Sequence, residues 1–166
     1  EYWGKGVTSC AICDGPLYKD KDVIVVGGGD SACEEALQLV DAKVKSVKML
    51  VRTNKMRASD IMQKRVEKSE KIEILYNAEI KEIIGNKSNV TSVILDINEN
   101  NNIKSFEAPI DGIFIAIGHI PNTSLVEKIV KLDENKVIIC LDRSQETTFP
   151  GFFAAGDVCN YYRQAD

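Results

Sequence analysis

Apolar residues fall in two rhythms along this chain, short β-branched runs and stretches spaced for a helix, and their order predicts the elements. Residues 23–26 (VIVV) read as a strand that leads into GGGD and then SACEEALQLV, where Ala32, Ala36, Leu37 and Val40 recur at helical spacing. SVKMLV (46–51) predicts a second strand. SDIMQKRVEKSEK (59–71) predicts a charged amphipathic helix with Ser59 or Asp60 at its N-cap, and IEILYN (72–77) a third strand. Strands and helices alternating in this order specify a parallel α/β unit.

From 78 to 109 the rhythm changes. AEIKEIIG, NVTSVILDI and IKSFEAP are strand-like runs separated by NKSN and NENNN, the pattern of an antiparallel meander inserted into the α/β domain. DGIFIAIG (111–118) is then a continuous apolar run, as expected of a strand buried on both faces. After GHIPNT the texture becomes mixed and ends in the strand-like TTFPGFFAAGDV. A domain boundary near His119 follows, with residues 1–119 in one domain and 120–166 in another.

Composition narrows the class. With 166 residues, 44% of them hydrophobic and 28% charged, the chain can bury one ordinary core. A net charge of -4 and a pI near 5.2 argue against nucleic-acid binding, which calls for a basic excess on one face. No apolar run approaches the roughly 20 residues of a membrane helix, so no membrane partner is expected. Five cysteines, at 10, 13, 33, 140 and 159, make a poor framework for a disulfide-stapled secreted fold, and a reducing, cytoplasmic setting fits them better. The chain opens at Glu1 without a Met and stops soon after an apolar run, which suggests a segment of something longer.

Two stretches carry chemistry. Gly27, Gly29 and Ala32 give G-x-G-x-x-A directly after a strand and at the mouth of a helix. The first glycine permits the turn, the second lets a pyrophosphate approach the backbone, and the small third residue allows close packing of helix on strand. Phosphate then meets the positive end of the helix dipole. At the end of the next strand, where an acid would receive the ribose of NAD, the sequence is VRTNKMRA, with Arg52 and Arg57. A guanidinium on a 2′-phosphate makes charge-assisted hydrogen bonds of about 1.5–3 kcal/mol, on the order of a ten- to hundredfold preference, so NADP is the expected nucleotide.

The other stretch is SCAICDG, with Cys10 and Cys13 in C-x-x-C spacing. That spacing closes a small disulfide and commonly lowers a thiol pKa, which points to redox chemistry. Half of a zinc site is the weaker reading, since the chain has a single His and no second cysteine pair at ligand spacing. Asp14 serves either as a proton shuttle or as a turn or cap residue. Cys33 reads as a packing residue, Cys140 as strand interior, and Cys159 as either packed or exposed. His119 either lines a cofactor cleft or is structural.

Taken together, GVTSCAICDG, VVGGGDSACEEAL, IAIGHIPNT, PGFFAAGDV and YRQA resemble, in order and over essentially the whole chain, the low-molecular-weight flavin-containing thioredoxin reductases. MLVRTNKMRASDIMQKR is similar to the fungal and plant branch; the usual bacterial pattern has a His and two adjacent arginines in the region of Val51, Arg52 and Thr53. The resemblance implies an α/β fold: a Rossmann-like three-layer NADPH-binding domain with an inserted antiparallel meander, then an incomplete FAD-domain segment. It implies that electrons pass from NADPH through FAD to the Cys10/Cys13 disulfide and on to thioredoxin. Cys13 would face the flavin, Cys10 would engage the substrate disulfide, and Asp14 would act as the acid.

Gly27, Gly28, Gly29, Asp30, Ser31, Ala32, Arg52, Arg57 and His119 would hold NADPH. Gly156, Asp157, Arg163, Gln164 and Ala165 would attend FAD, with Asp157 on the ribityl chain. In this family the NADPH domain is understood to rotate against the FAD domain, and the full-length protein is a homodimer. The front FAD segment of such reductases has no counterpart in this sequence. The isolated chain is therefore expected to bind NADP(H), retain little FAD and not turn over, and the alternative reading is a free-standing NADP(H)-binding module without catalysis.

Overall fold

The computed structural model describes residues 1–100, 102–141 and 144–159. Two compact units divide the chain, Glu1–Ile117 and Gly118–Asp166. In the first, the strands are β1 (Val7–Thr8), β2 (Asp22–Val26), β3 (Ser46–Val51), β4 (Ile72–Tyr76), β5 (Ala78–Gly85), β6 (Val90–Glu99), β7 (Asn102–Pro109) and β8 (Gly112–Ile115); the helices are α1 (Ala11–Asp14), α2 (Asp30–Asp41) and α3 (Asp60–Glu67). A five-stranded parallel sheet has the order β1-β8-β2-β3-β4, and β5-β6-β7 form a separate antiparallel sheet.

Strand periodicity explains how three layers arise from these pieces. Successive side chains point to opposite faces of a sheet. Val23, Val25, Val47, Met49, Val51 and Phe114 accordingly share one core with Ala32, Cys33, Ala36 and Leu39 of α2 and Met62 and Val66 of α3. Ile24, Leu50 and Ile113 point the other way, into a second core with Val93 and Leu95 of β6, Val90 and Ala108. Helices cover one face of the parallel sheet and the meander covers the other, which is why residues 23–26 of β2 and the whole of β8 carry no polar side chain.

The predicted α/β unit and meander are present, with local differences. Leu39 faces the core of α2 at full burial, whereas Leu37 and Val40 lie at its margin. The charged helix predicted for 59–71 stops at Glu67, because Ile72 pairs with Val47 and the intervening residues form the turn into β4, closed by Ile72 N–H on Ser69 O. Ser59 is the N-cap of α3 yet makes no capping bond with its side chain. Its hydroxyl donates instead to Asp30 Oδ1 at 2.8 Å.

The second unit, among its described residues, is joined by isolated bridges around Val130, Ile138, Cys140, Ala154 and Cys159. Cys140, expected inside a strand, sits in a single bridge to Thr147, and Cys159 is fully buried. The strand-like GFFAAGDV is a bridge at Phe153 followed by the 3-10 turn Gly156–Val158; Gly156, at φ 81°, leaves extended geometry there.

Candidate functional site

The dithiol is set by a sheet-edge strand and a one-turn helix. Val7 pairs with Ile113 and Thr8 with Phe114, so β1 docks on β8 and delivers Cys10 to the N-cap of α1. Cys10 and Cys13 form a disulfide with their Cα atoms 5.3 Å apart, and Cys13 N–H donates to Cys10 Sγ at 3.1 Å. Cys10 is half-buried and Cys13 exposed, and Ile12 between them is 73% exposed, so the pair is presented outward.

Two bonds fix the turn from outside. Thr8 Oγ1 donates to Asp14 Oδ2 at 2.5 Å, and Ala11 N–H donates to Glu35 Oε2 at 2.6 Å. Asp14 thus lies immediately behind the disulfide with one oxygen held. Beyond it Tyr18 meets Phe114 edge-on at 5.2 Å, its phenol pKa pushed up first by burial and then by the charges of Asp14 and Asp111.

The glycine loop joins β2 to α2. Gly27 has φ 150°, and a Cβ built there would lie 2.3 Å from the Ala116 carbonyl oxygen. At Gly28 a Cβ would meet Val51 Cγ1 at 2.9 Å. Gly28 O accepts from the backbone N–H groups of Arg57 at 2.7 Å and Ala58 at 3.0 Å, which folds the VRTNKMRA segment back over the glycine loop. Between them opens a cavity of about 620 Å³ lined by Gly27, Gly28, Arg52, Lys55 and Arg57, with β5 residues opposite. Arg52, Lys55 and Arg57 are exposed, and among the described residues none is in a salt bridge. A glycine loop too closely packed to take a side chain and three uncommitted cations suit a phosphorylated dinucleotide.

Of the residues singled out in the sequence, the cavity gathers Gly27, Gly28, Arg52 and Arg57. Gly29 is the N-cap of α2, and Ala32 is fully buried beneath it. Asp30 is exposed at the start of α2, its Oδ1 taken by Ser59 N–H and Oγ, both at 2.8 Å; Ser31 beside it is exposed. His119 is exposed in the second unit, as are Gly156 and Asp157 on their turn. Arg163, Gln164 and Ala165 lie outside the described residues. Cys33 is packed under α2 with its thiol pKa pushed up to about 11, by burial first and by Asp30 and Glu34 next.

Three residues were missed. Lys55 was readable as a third cation in the same segment. Thr8 and Glu35 have no local signal, since their partners are set by the packing of β1 and α2 against α1.

This arrangement defines a class: an α/β unit that carries a dithiol beside a dinucleotide-type glycine loop. The chain belongs to the pyridine nucleotide-disulphide oxidoreductase family, whose pattern matches residues 1–166. It is 46% identical to the thioredoxin reductase of Debaryomyces hansenii and 47% identical to thioredoxin reductase 1 of Saccharomyces cerevisiae, over 99% of this chain and 51% of each relative. Among solved structures, the thioredoxin reductase of Lactococcus lactis in its FR conformation superposes with a TM-score of 0.83 at 36% identity, over 99% of this chain and 53% of that one. The chain spans about half the length of the relatives it matches.

Proposed function

We propose that this chain is the NADPH-binding portion and the rear FAD-binding portion of a thioredoxin-disulfide reductase, with residues 1–119 and 120–166 as the two parts. The observation that carries the reading is the disulfide of Cys10 and Cys13 on the same unit as a cation-lined cavity beside the glycine loop. Gly27 and Gly28 would receive the pyrophosphate, and Arg52 and Arg57 the 2′-phosphate, with Lys55 beside them. Asp157, exposed on its turn, would hold the ribityl chain of FAD, with Gly156 alongside and Arg163, Gln164 and Ala165 nearby. FAD, when bound, supplies two-electron chemistry between nicotinamide and disulfide.

The chain's own residues then manage thiols and protons. Reduction of the Cys10–Cys13 bond takes two electrons and two protons and leaves two thiols. Cys10, as thiolate, attacks the disulfide of thioredoxin; Cys13 resolves the mixed disulfide, which restores the Cys10–Cys13 bond and releases a dithiol. Asp14, whose Oδ2 accepts from Thr8 Oγ1, would give a proton to the departing sulfur or take one from the attacking thiol. Homodimeric assembly of the longer protein and a cytoplasmic location belong to the same reading.

Two measurements test it. Titration of the chain should show NADP(H) binding at least about tenfold tighter than NAD(H), and R57A should erase most of that ratio. Reduced C13S chain mixed with oxidised thioredoxin should trap a disulfide-linked complex through Cys10. Equal affinity for both nucleotides, or no trapped complex, would overturn the proposal.

A further inference from the structure

The Glu35 carboxylate is an unusual choice for the work its geometry shows. Ala11 N–H is the first free donor of a four-residue helix, and any neutral acceptor would satisfy it. Here the acceptor is a half-buried carboxylate reached from the second turn of α2, 24 positions along the chain, at 2.6 Å. Burial raises the carboxyl pKa and the charge of Glu34 raises it further, while the bond from Ala11 opposes both. The residue on whose N-cap sulfur this helix begins is Cys10. Amides at a helix start are what stabilise a cysteine thiolate there, and Cys13 N–H already points at Cys10 Sγ. Glu35 takes the neighbouring amide and sets an anion beside the same turn.

We infer that Glu35 is a positioning residue for the dithiol: it anchors the first turn of α1 to the helix that follows the nucleotide loop, and its charge disfavours the Cys10 thiolate, making the Cys10–Cys13 pair the stronger reductant. The sign follows from the two redox forms. The disulfide has no ionisable sulfur, whereas the dithiol gains stability whenever a thiol ionises, so an anion that suppresses ionisation destabilises the reduced form alone. Other titratable groups about the turn include Glu34 on the same helix, Asp14 at the end of α1, bonded to Thr8, and Tyr18 in the following turn with Asp111 and Lys21 beside it. The inference rests on the dithiol being the redox centre proposed above.

The test compares wild type with E35Q, which keeps an acceptor for Ala11 N–H and removes the charge, and with E34Q, which removes an exposed charge on the same helix. The full chain is reduced with dithiothreitol, and alkylation of Cys10 by iodoacetamide is followed against pH by mass spectrometry of its peptide. E35Q should move the midpoint down by about one pH unit, a tenfold change in thiol ionisation, and E34Q by much less. In redox equilibrium at about pH 8, with dithiothreitol giving up two electrons and two protons to the disulfide and closing to its cyclic form, E35Q should be at least about threefold easier to reduce. An unmoved midpoint in E35Q, a shift upward, or an equal shift in E34Q would overturn the inference. Should E35Q not fold, E35D, whose shorter side chain withdraws the charge, must shift both quantities in the same direction or the inference falls. None of these measurements uses nucleotide, flavin or thioredoxin, so their failure leaves the proposed function standing and is distinguishable from its failure.

Discussion

Gly27 shows how one position ties a binding loop to a core. Its φ of 150° and the 2.3 Å approach of a would-be Cβ to the Ala116 carbonyl leave no room for any side chain. G27A should lower the free energy of unfolding by about 3 kcal/mol in a urea titration, because both a strained backbone and a displaced β8 end must be accommodated. A different residue-scale effect comes from Cys33. Its thiol pKa of about 11 in the fold, against an ordinary 9.0, means that between these values the unfolded chain loses a proton that the native chain keeps. Unfolding then releases protons, so stability is intact below pH 9 and declines as the pH rises toward about 11. C33A should flatten that alkaline limb in pH-dependent denaturation, whatever it does to the stability at neutrality.

At the scale of elements, the parallel strands are shared between two cores, and the meander is as much a structural layer as the helices are. Leu95 of β6 is fully buried opposite Ile80 and Phe106 and belongs to the core beneath the sheet. L95A should cost about 3 kcal/mol by chemical denaturation, as for other buried leucines, and not the few tenths of a surface strand change. This layer was legible in the sequence as three polar-punctuated strands, and the unbroken apolar run DGIFIAIG announced a strand covered on both sides. Nothing in the residues said that the meander is what covers the second side, since that depends on where the insertion folds back. The glycine loop and dithiol were legible because each is a local motif. The bonds of Thr8 to Asp14 and Ala11 to Glu35 were not, because spacing along the chain carries no sign of which helix packs behind which turn. The second unit misled in the opposite direction: VIIC and GFFAAGDV have strand composition, but strands need neighbours for their backbone groups, and single bridges are what these segments make here.

For the whole molecule, the glycine-loop cavity and the disulfide are housed together in Glu1–Ile117, while Gly118–Asp166 has its own small core. Purified and scanned in the visible range, the 166-residue chain should carry well under stoichiometric flavin while still being stabilised by NADP. Stoichiometric flavin bands would show that the rear segment suffices to retain FAD.

The place of β1 in its sheet sets the timing of assembly. β2, β3 and β4 pair with one another across some two dozen residues, whereas β1 pairs only with β8, so Val7 cannot find Ile113 until β8 has itself reached β2. Distant pairings form late, after the loops they close have been shortened by earlier contacts. The segment bearing the disulfide is therefore the last to be seated and the first to lift away, and in hydrogen-exchange measurements the amides of residues 7 to 14 should trade for deuterium well before those of β2 and β3.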